Sequence, residues 1–204
     1  MPATEECYMN RKWLIPGIII GIVVIIGGIL VSGYNGLVGQ RESVNKTFAN
    51  LQSQYQRRAD LVPNLVRTVK GAAEFEQKTL TDVTEARTKA TSITIDPSKA
   101  TPEQLAEYQK SQGELSQALG RLLAITENYP QLKAVQGFQD LQVQLEGTEN
   151  RIAVARNDFN DVASTYNARI LTFPTNITAG LFGFNQFPYF EADEGAENAP
   201  EVDL

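Results

Sequence analysis

The chain has 204 residues, a formal net charge of −6, one cysteine and no histidine. Without histidine it lacks the commonest general base, the usual nucleophile–base pairs of serine and cysteine hydrolases and most zinc or haem ligand sets; Cys7 alone forms no intrachain disulfide and no thiolate cluster. Residues 35–190 carry 16 basic and 16 acidic side chains, so the excess charge falls on six acids after residue 190, and the balanced body lacks both the basic field that nucleic acid requires and a polybasic patch for anionic lipid.

After a short tail (1–12) comes an uncharged stretch, residues 13–40, whose centre at 18–31 is almost pure Ile, Val, Leu and Gly. A membrane-spanning helix needs about 20 mostly apolar residues, and residues 13–34 supply them. Trp13 and Tyr34 flank the run where aromatic rings favour the membrane–water boundary. A buried core helix and a cleaved secretory signal both carry shorter apolar runs, and the exit through Ser32 and Gly33 is a poor cleavage site. The segment therefore reads as an uncleaved anchor. Arg11 and Lys12 abut one end, and Arg41 and Lys46 lie farther from the other. The basic-residue bias then favours a cytoplasmic N-terminus and an extracytoplasmic body. Gly17 and Gly21 have the spacing that lets two membrane helices approach closely.

Beyond the anchor, apolar residues recur in alternating steps of three and four, the signature of amphipathic helices packed along a seam. The first run is Leu37, Val44, Phe48, Leu51 and Tyr55. Only glycines interrupt its direct continuation from the membrane helix. It is expected to end near Arg58, with Asp60 as the N-cap of a second helix and Pro63 in that helix's first turn. The second run is Val62, Leu65, Val69, Ala72, Leu80, Val83 and Ala90, followed by a loop over 91–102 rich in turn residues. Thr101 is expected to cap the third helix, whose seam is Leu105, Tyr108, Gln112, Leu115, Leu119 and Leu122. A fourth run (Phe138, Leu141, Leu145, Ile152, Phe159, Val162, Tyr166, Ile170) extends from about 131 to 171 and stops at Phe173-Pro174. The fold class is all-α: a transmembrane helix followed by an elongated antiparallel four-helix bundle over 35–173. An aromatic segment (174–190) and an acidic tail (191–204) of disorder-prone composition complete the chain.

Arg57, Arg58, Asp60 and Asn64 gather at the expected first turn, and Glu149, Asn150, Arg151 and Arg156 gather on the fourth helix. Three readings apply: ordinary surface ion pairs, a polar cluster that sets bundle register, or a partner site. A di-iron site of the bundle type fails for want of histidine. Phe184, Phe187, Tyr189 and Phe190 form a candidate docking segment, with folding back onto the bundle as the alternative.

The segments Tyr34-Asn35-Gly36-Leu37-Val38, Arg57-Arg58-Ala59-Asp60-Leu61-Val62-Pro63-Asn64, Glu127-Asn128-Tyr129-Pro130, Glu149-Asn150-Arg151-Ile152-Ala153-Val154-Ala155-Arg156 and residues 184–191 together resemble the LemA family of bacterial membrane proteins. The resemblance implies an N-terminal anchor and a helical bundle, with no assigned catalytic residues or cofactor. It implies partners among envelope proteins, a membrane metallopeptidase among them. The expectation is a single-pass protein of the bacterial inner membrane that acts as a non-catalytic scaffold or adaptor and touches lipid through its first helix. A homo-oligomeric assembly that remodels or protects the membrane is the alternative.

Overall fold

One helix, α1 (Glu6–Ala72), contains both the apolar stretch and the first seam. In this computed structural model the described residues are 6–72 and 77–191, with side chains described over 14–71 and 77–191. The Cys7 and Trp13 side chains and the tail 192–204 lie outside them. The remaining helices are α2 (Gln77–Ser92), α3 (Pro102–Thr126), the single turn α4 (Pro130–Lys133), α5 (Gln136–Leu171) and α6 (Thr175–Phe182). There is no strand among the described residues. The chain divides into two compact units: Met1–Glu42 with Tyr166–Gln186, and Ser43–Thr165 with Phe187–Leu204.

The second unit is the bundle, built from the later part of α1 with α2, α3 and most of α5. Its direction follows from paired contacts. Phe48 meets Tyr108 and Phe159, and ten residues on Arg58 meets Ser116 and Glu149. So α3 runs with α1 and α5 runs against it. Arg87 reaches Ala59, while Ser98, beyond the end of α2, reaches Asn45, so α2 also runs against α1. The core holds Val44, Phe48, Leu51, Tyr55, Val62, Leu65 and Val69 from α1, with the seam leucines of α3 and Phe138, Leu141, Leu145, Ile152 and Phe159 of α5. Val162 is only partly buried, and its neighbour Ala163 fills the seam instead. Thr101 caps α3 in a reciprocal box: its hydroxyl accepts from the Gln104 N–H at 3.3 Å, and the Gln104 amide oxygen accepts from the Thr101 N–H at 3.0 Å.

The expected turn at 58–60 is absent. Asp60 and Pro63 lie inside α1, which continues to Ala72 before α2 begins at Gln77. A proline inside a helix removes the N–H that would bond to the carbonyl four residues back, here Ala59. Arg87 on α2 replaces it: its Nε–H donates to the Ala59 carbonyl at 2.7 Å. Asp60 accepts from the Gln56 amide at 2.8 Å along the same helix, which is not capping geometry. The fourth helix is also interrupted, by Ala134 and Val135 between α4 and α5.

In the first unit, the side chains of α1 from Leu14 to Val31 lie mostly open, with no part of its most apolar window buried. A core helix of a soluble domain would be covered. This is the one helix among the described residues long and apolar enough to cross a membrane. Leu37, Tyr166, Asn167, Ile170, Thr175, Thr178, Ala179 and Phe184 are the buried residues among those described in this unit. Here α6 was not expected from the sequence. It closes on Gly183, whose positive φ of 70° suits the left-handed position that glycine adopts without a Cβ clash.

Candidate functional site

Arg58 is the largest fully buried side chain among the described residues, at 1% exposure, and it lies within the bundle unit. A guanidinium is tolerated inside a protein only when its donors and charge are met. Its Nη1 donates to the Ser116 hydroxyl at 2.5 Å and to both Glu149 carboxylate oxygens at 2.9 and 3.2 Å. Its Nη2 donates to the Gln112 backbone carbonyl at 3.0 Å and to the Gln112 side-chain oxygen at 2.9 Å. The Nε has no acceptor among the described residues. The cluster extends outward: Gln112 Nε2 donates to the Ala90 carbonyl at 2.9 Å, and Ser116 donates to Glu149 at 2.8 Å. The guanidinium carbon also sits 5.3 Å from the Tyr55 ring centroid. One side chain from α1 thus contacts α3 and α5 directly and α2 through Gln112.

Of the eight polar residues singled out in the sequence, Arg58 and Glu149 meet here. Arg57, Asn150 and Arg151 are exposed. Asn64 accepts from Arg67 one turn away on the exposed face of α1. Arg156 belongs to a separate place, the seat of the C-terminal segment. Its Nη2 donates to the Glu191 carbonyl at 2.9 Å, and its guanidinium lies 6.0 Å from the Phe190 ring centroid. Gln112, Ser116 and Arg87 were not among the candidates. A polar residue at a seam position between Tyr108 and Leu115 was a usable signal for Gln112. Ser116, one turn further along α3, had none.

Three of the four aromatic residues of the candidate docking segment are covered by their own chain, in keeping with the reading in which the segment folds back. Within the bundle unit, Phe187 and Phe190 are buried, and Phe190 packs on Phe159 (5.4 Å between centroids) and Phe48 (6.5 Å). Two side-chain amides hold the backbone around it. Asn160 donates to the Phe190 carbonyl at 2.9 Å and accepts from its N–H at 3.0 Å. Gln109 does the same for Glu191 at 2.9 and 3.1 Å. Within the first unit, Phe184 is buried against Tyr34, with the Arg41 guanidinium 5.2 Å from its ring centroid. Tyr189 remains exposed.

A cavity of about 440 Å³ opens beside the cluster, lined among others by Gln52, Ser53, Tyr55, Gln56, Thr91, Tyr108 and Gln112. The lining offers amides, hydroxyls and aromatic edges but no carboxylate and no amine. Burial pushes the Tyr108 phenol well above its ordinary range, Tyr55 adds to the rise, and Arg58 opposes it. A phenol that stays protonated is no base near neutral pH. No group of three acidic, cysteine or histidine residues is placed to hold a metal ion among the described residues. Gly17 and Gly21 both have open space where a Cβ would stand.

The family model described as "LemA family" matches residues 47–204. Among the relatives, a "Magnetosome protein MamQ 2" of Paramagnetospirillum magneticum is 29% identical, the match covering 85% of this chain and 70% of the relative. A "Magnetosome protein MamQ" of Magnetospirillum gryphiswaldense is 28% identical over 84% and 69% of the two chains. A "Protein LemA" of Metamycoplasma hominis is 26% identical over 81% and 72%. None of these names denotes a catalytic activity.

Proposed function

The chain belongs to the LemA family, and on that premise we propose that it is a membrane-anchored helical scaffold of the bacterial envelope that binds other proteins and catalyses no reaction. The observation that carries this reading is the uncovered apolar face of α1 from Leu14 to Val31, which has no partner within its unit and the length to cross a bilayer. Relatives named as magnetosome proteins fit a role in an assembly. The polar network supports the same reading from the other side, because Arg58, Gln112, Ser116 and Glu149 bond one another and the cavity that Gln112 lines holds no carboxylate and no amine. The bundle projects outside the cytoplasm, following the position of Arg11 and Lys12, and its partners are envelope proteins, with a membrane metallopeptidase as the first to examine.

The test is photo-crosslinking in intact cells from exposed bundle positions such as Lys78 and Arg151. Discrete crosslinks to the same few envelope proteins from both positions support the scaffold. Crosslinks confined to cytoplasmic proteins overturn the orientation, and none above background overturns the scaffold. Self-association is the second reading, favoured by the open Gly17 and Gly21 face of the span. A detergent-corrected mass from light scattering equal to one 22.5 kDa chain rules it out.

A further inference from the structure

We propose that α6 and the turn before it lie in the membrane–water interface, so that the protein touches lipid with a second element besides its spanning helix. The inference rests on the anchor reading above and concerns only the first unit.

Between Arg169 and Glu191 there is no charged side chain. Within that stretch Leu171, Phe173, Ile177, Leu181 and Phe182 stand open, Phe173 at 75% and Leu181 at 67% exposure. Soluble monomers rarely present large apolar side chains so densely. Ile177 and Leu181 lie one turn apart on one face of α6, while Thr178 and Ala179 on the other face are buried. Exposed Thr172 and Asn176 interleave with the apolar residues. That mixture suits the headgroup boundary rather than the hydrocarbon interior.

The place where α6 is held identifies the surface it meets. A Cβ added to Gly33 would come within 3.0 Å of the Thr178 hydroxyl, so α6 rests directly on the α1 backbone at that glycine. Gly33 follows the open apolar run by two residues. Next to it, the Tyr34 ring stacks edge-on with Phe182 at 4.9 Å and Phe184 at 5.6 Å. Tyrosine beside the end of a span marks interfacial depth. The open face of α6 is therefore continuous with the apolar surface of α1, at the level where that surface leaves the bilayer. A lipid surface needs no further complementarity than this, whereas a docked protein would have to share its site with lipid headgroups.

The experiment places single nitroxide labels on the full-length chain in a Cys7→Ser background, reconstituted in phosphatidylcholine vesicles. The labelled positions are Ile177 and Leu181 on α6, Ile22 in the span and Lys78 on the bundle. Collision with oxygen reports lipid, and collision with a polar nickel chelate reports water. The expected result is that the oxygen effect exceeds the nickel effect at Ile177 and Leu181 by less than at Ile22, as interfacial depth requires, and that Lys78 shows the reverse. Ile177 and Leu181 ranking with Lys78 while Ile22 reports lipid overturns the inference and leaves the anchor standing. Ile22 also reporting water overturns both. Shielding of Ile177 and Leu181 from both reagents, with spin–spin broadening that disappears on dilution with unlabelled chain, means that a second copy covers the face and overturns the lipid assignment.

Discussion

Removing Glu149 is expected to destabilise the bundle more than removing Arg58, although Arg58 makes the larger set of contacts. The two side chains sit in unlike surroundings, 1% exposed for Arg58 and 50% for Glu149. In Arg58→Met, Glu149 returns to water at little cost. Inside the bundle the Gln112 side-chain oxygen loses its donor, while its amide still donates to Ala90. A buried acceptor left without a donor costs about 1–3 kcal/mol, and methionine refills most of the volume without a large cavity. In Glu149→Ala, the guanidinium stays buried with only the neutral Ser116 and Gln112 around it. Breaking a buried pair from one side costs about 3–5 kcal/mol; the half-exposed carboxylate reduces this to about 2–4 kcal/mol, because water reaches that edge of the site. The double variant should cost about as much as Arg58→Met alone, so the two losses couple strongly. Pulse proteolysis across a urea series, on the full-length chain in mild detergent, measures all three. If Arg58→Met costs clearly more than Glu149→Ala, or if the double variant equals the sum of the singles, the unpaired charge is not what the network exists to prevent.

Pro63→Ala should raise bundle stability by about 1–3 kcal/mol, since the helix regains an N–H donor to Ala59 at an exposed position; in that background Arg87→Met should cost less than in the parent, and an equal cost in both would show that Arg87 does not compensate for the proline. Asn160→Ala removes two backbone hydrogen bonds at Phe190 and should increase amide exchange there roughly tenfold, corresponding to about 1.4 kcal/mol of local stability; unchanged protection would mean that packing alone seats the segment. The buried Tyr108 phenol has a folded pKa raised above its ordinary value of 10, so the unfolded chain ionises first and stability falls as the pH rises past 10. Tyr108→Phe should flatten the fall in melting temperature between pH 9.5 and about 11.5 relative to the parent; parallel curves for the two proteins would contradict the burial of that hydroxyl.

The helix seams were legible because burial on a helix repeats with its own period: all six seam residues of α3 are buried, Gln112 included. The position of the first hairpin was not. Asp60 and Pro63 satisfy local rules for a helix start, and those rules are blind to Arg87, 24 residues further on, which supplies the bond the proline removes. The same limit separates Arg58 and Glu149 from the other six charged and amide candidates. Residues spaced along one helix could be grouped by sequence, but only the packing of α1 against α3 and α5 decides which guanidinium is enclosed. In the aromatic segment the local signal for α6 is Gly183, a residue that marks a helix end. Composition grouped Phe184, Phe187, Tyr189 and Phe190 as one surface, yet three of them are buried and the open apolar side chains are Phe173, Ile177, Leu181 and Phe182. Aromatic density measured how much surface the segment had to hide; the amides of Asn160 and Gln109, on two different helices, fix the backbone at its end so that Phe190 is hidden.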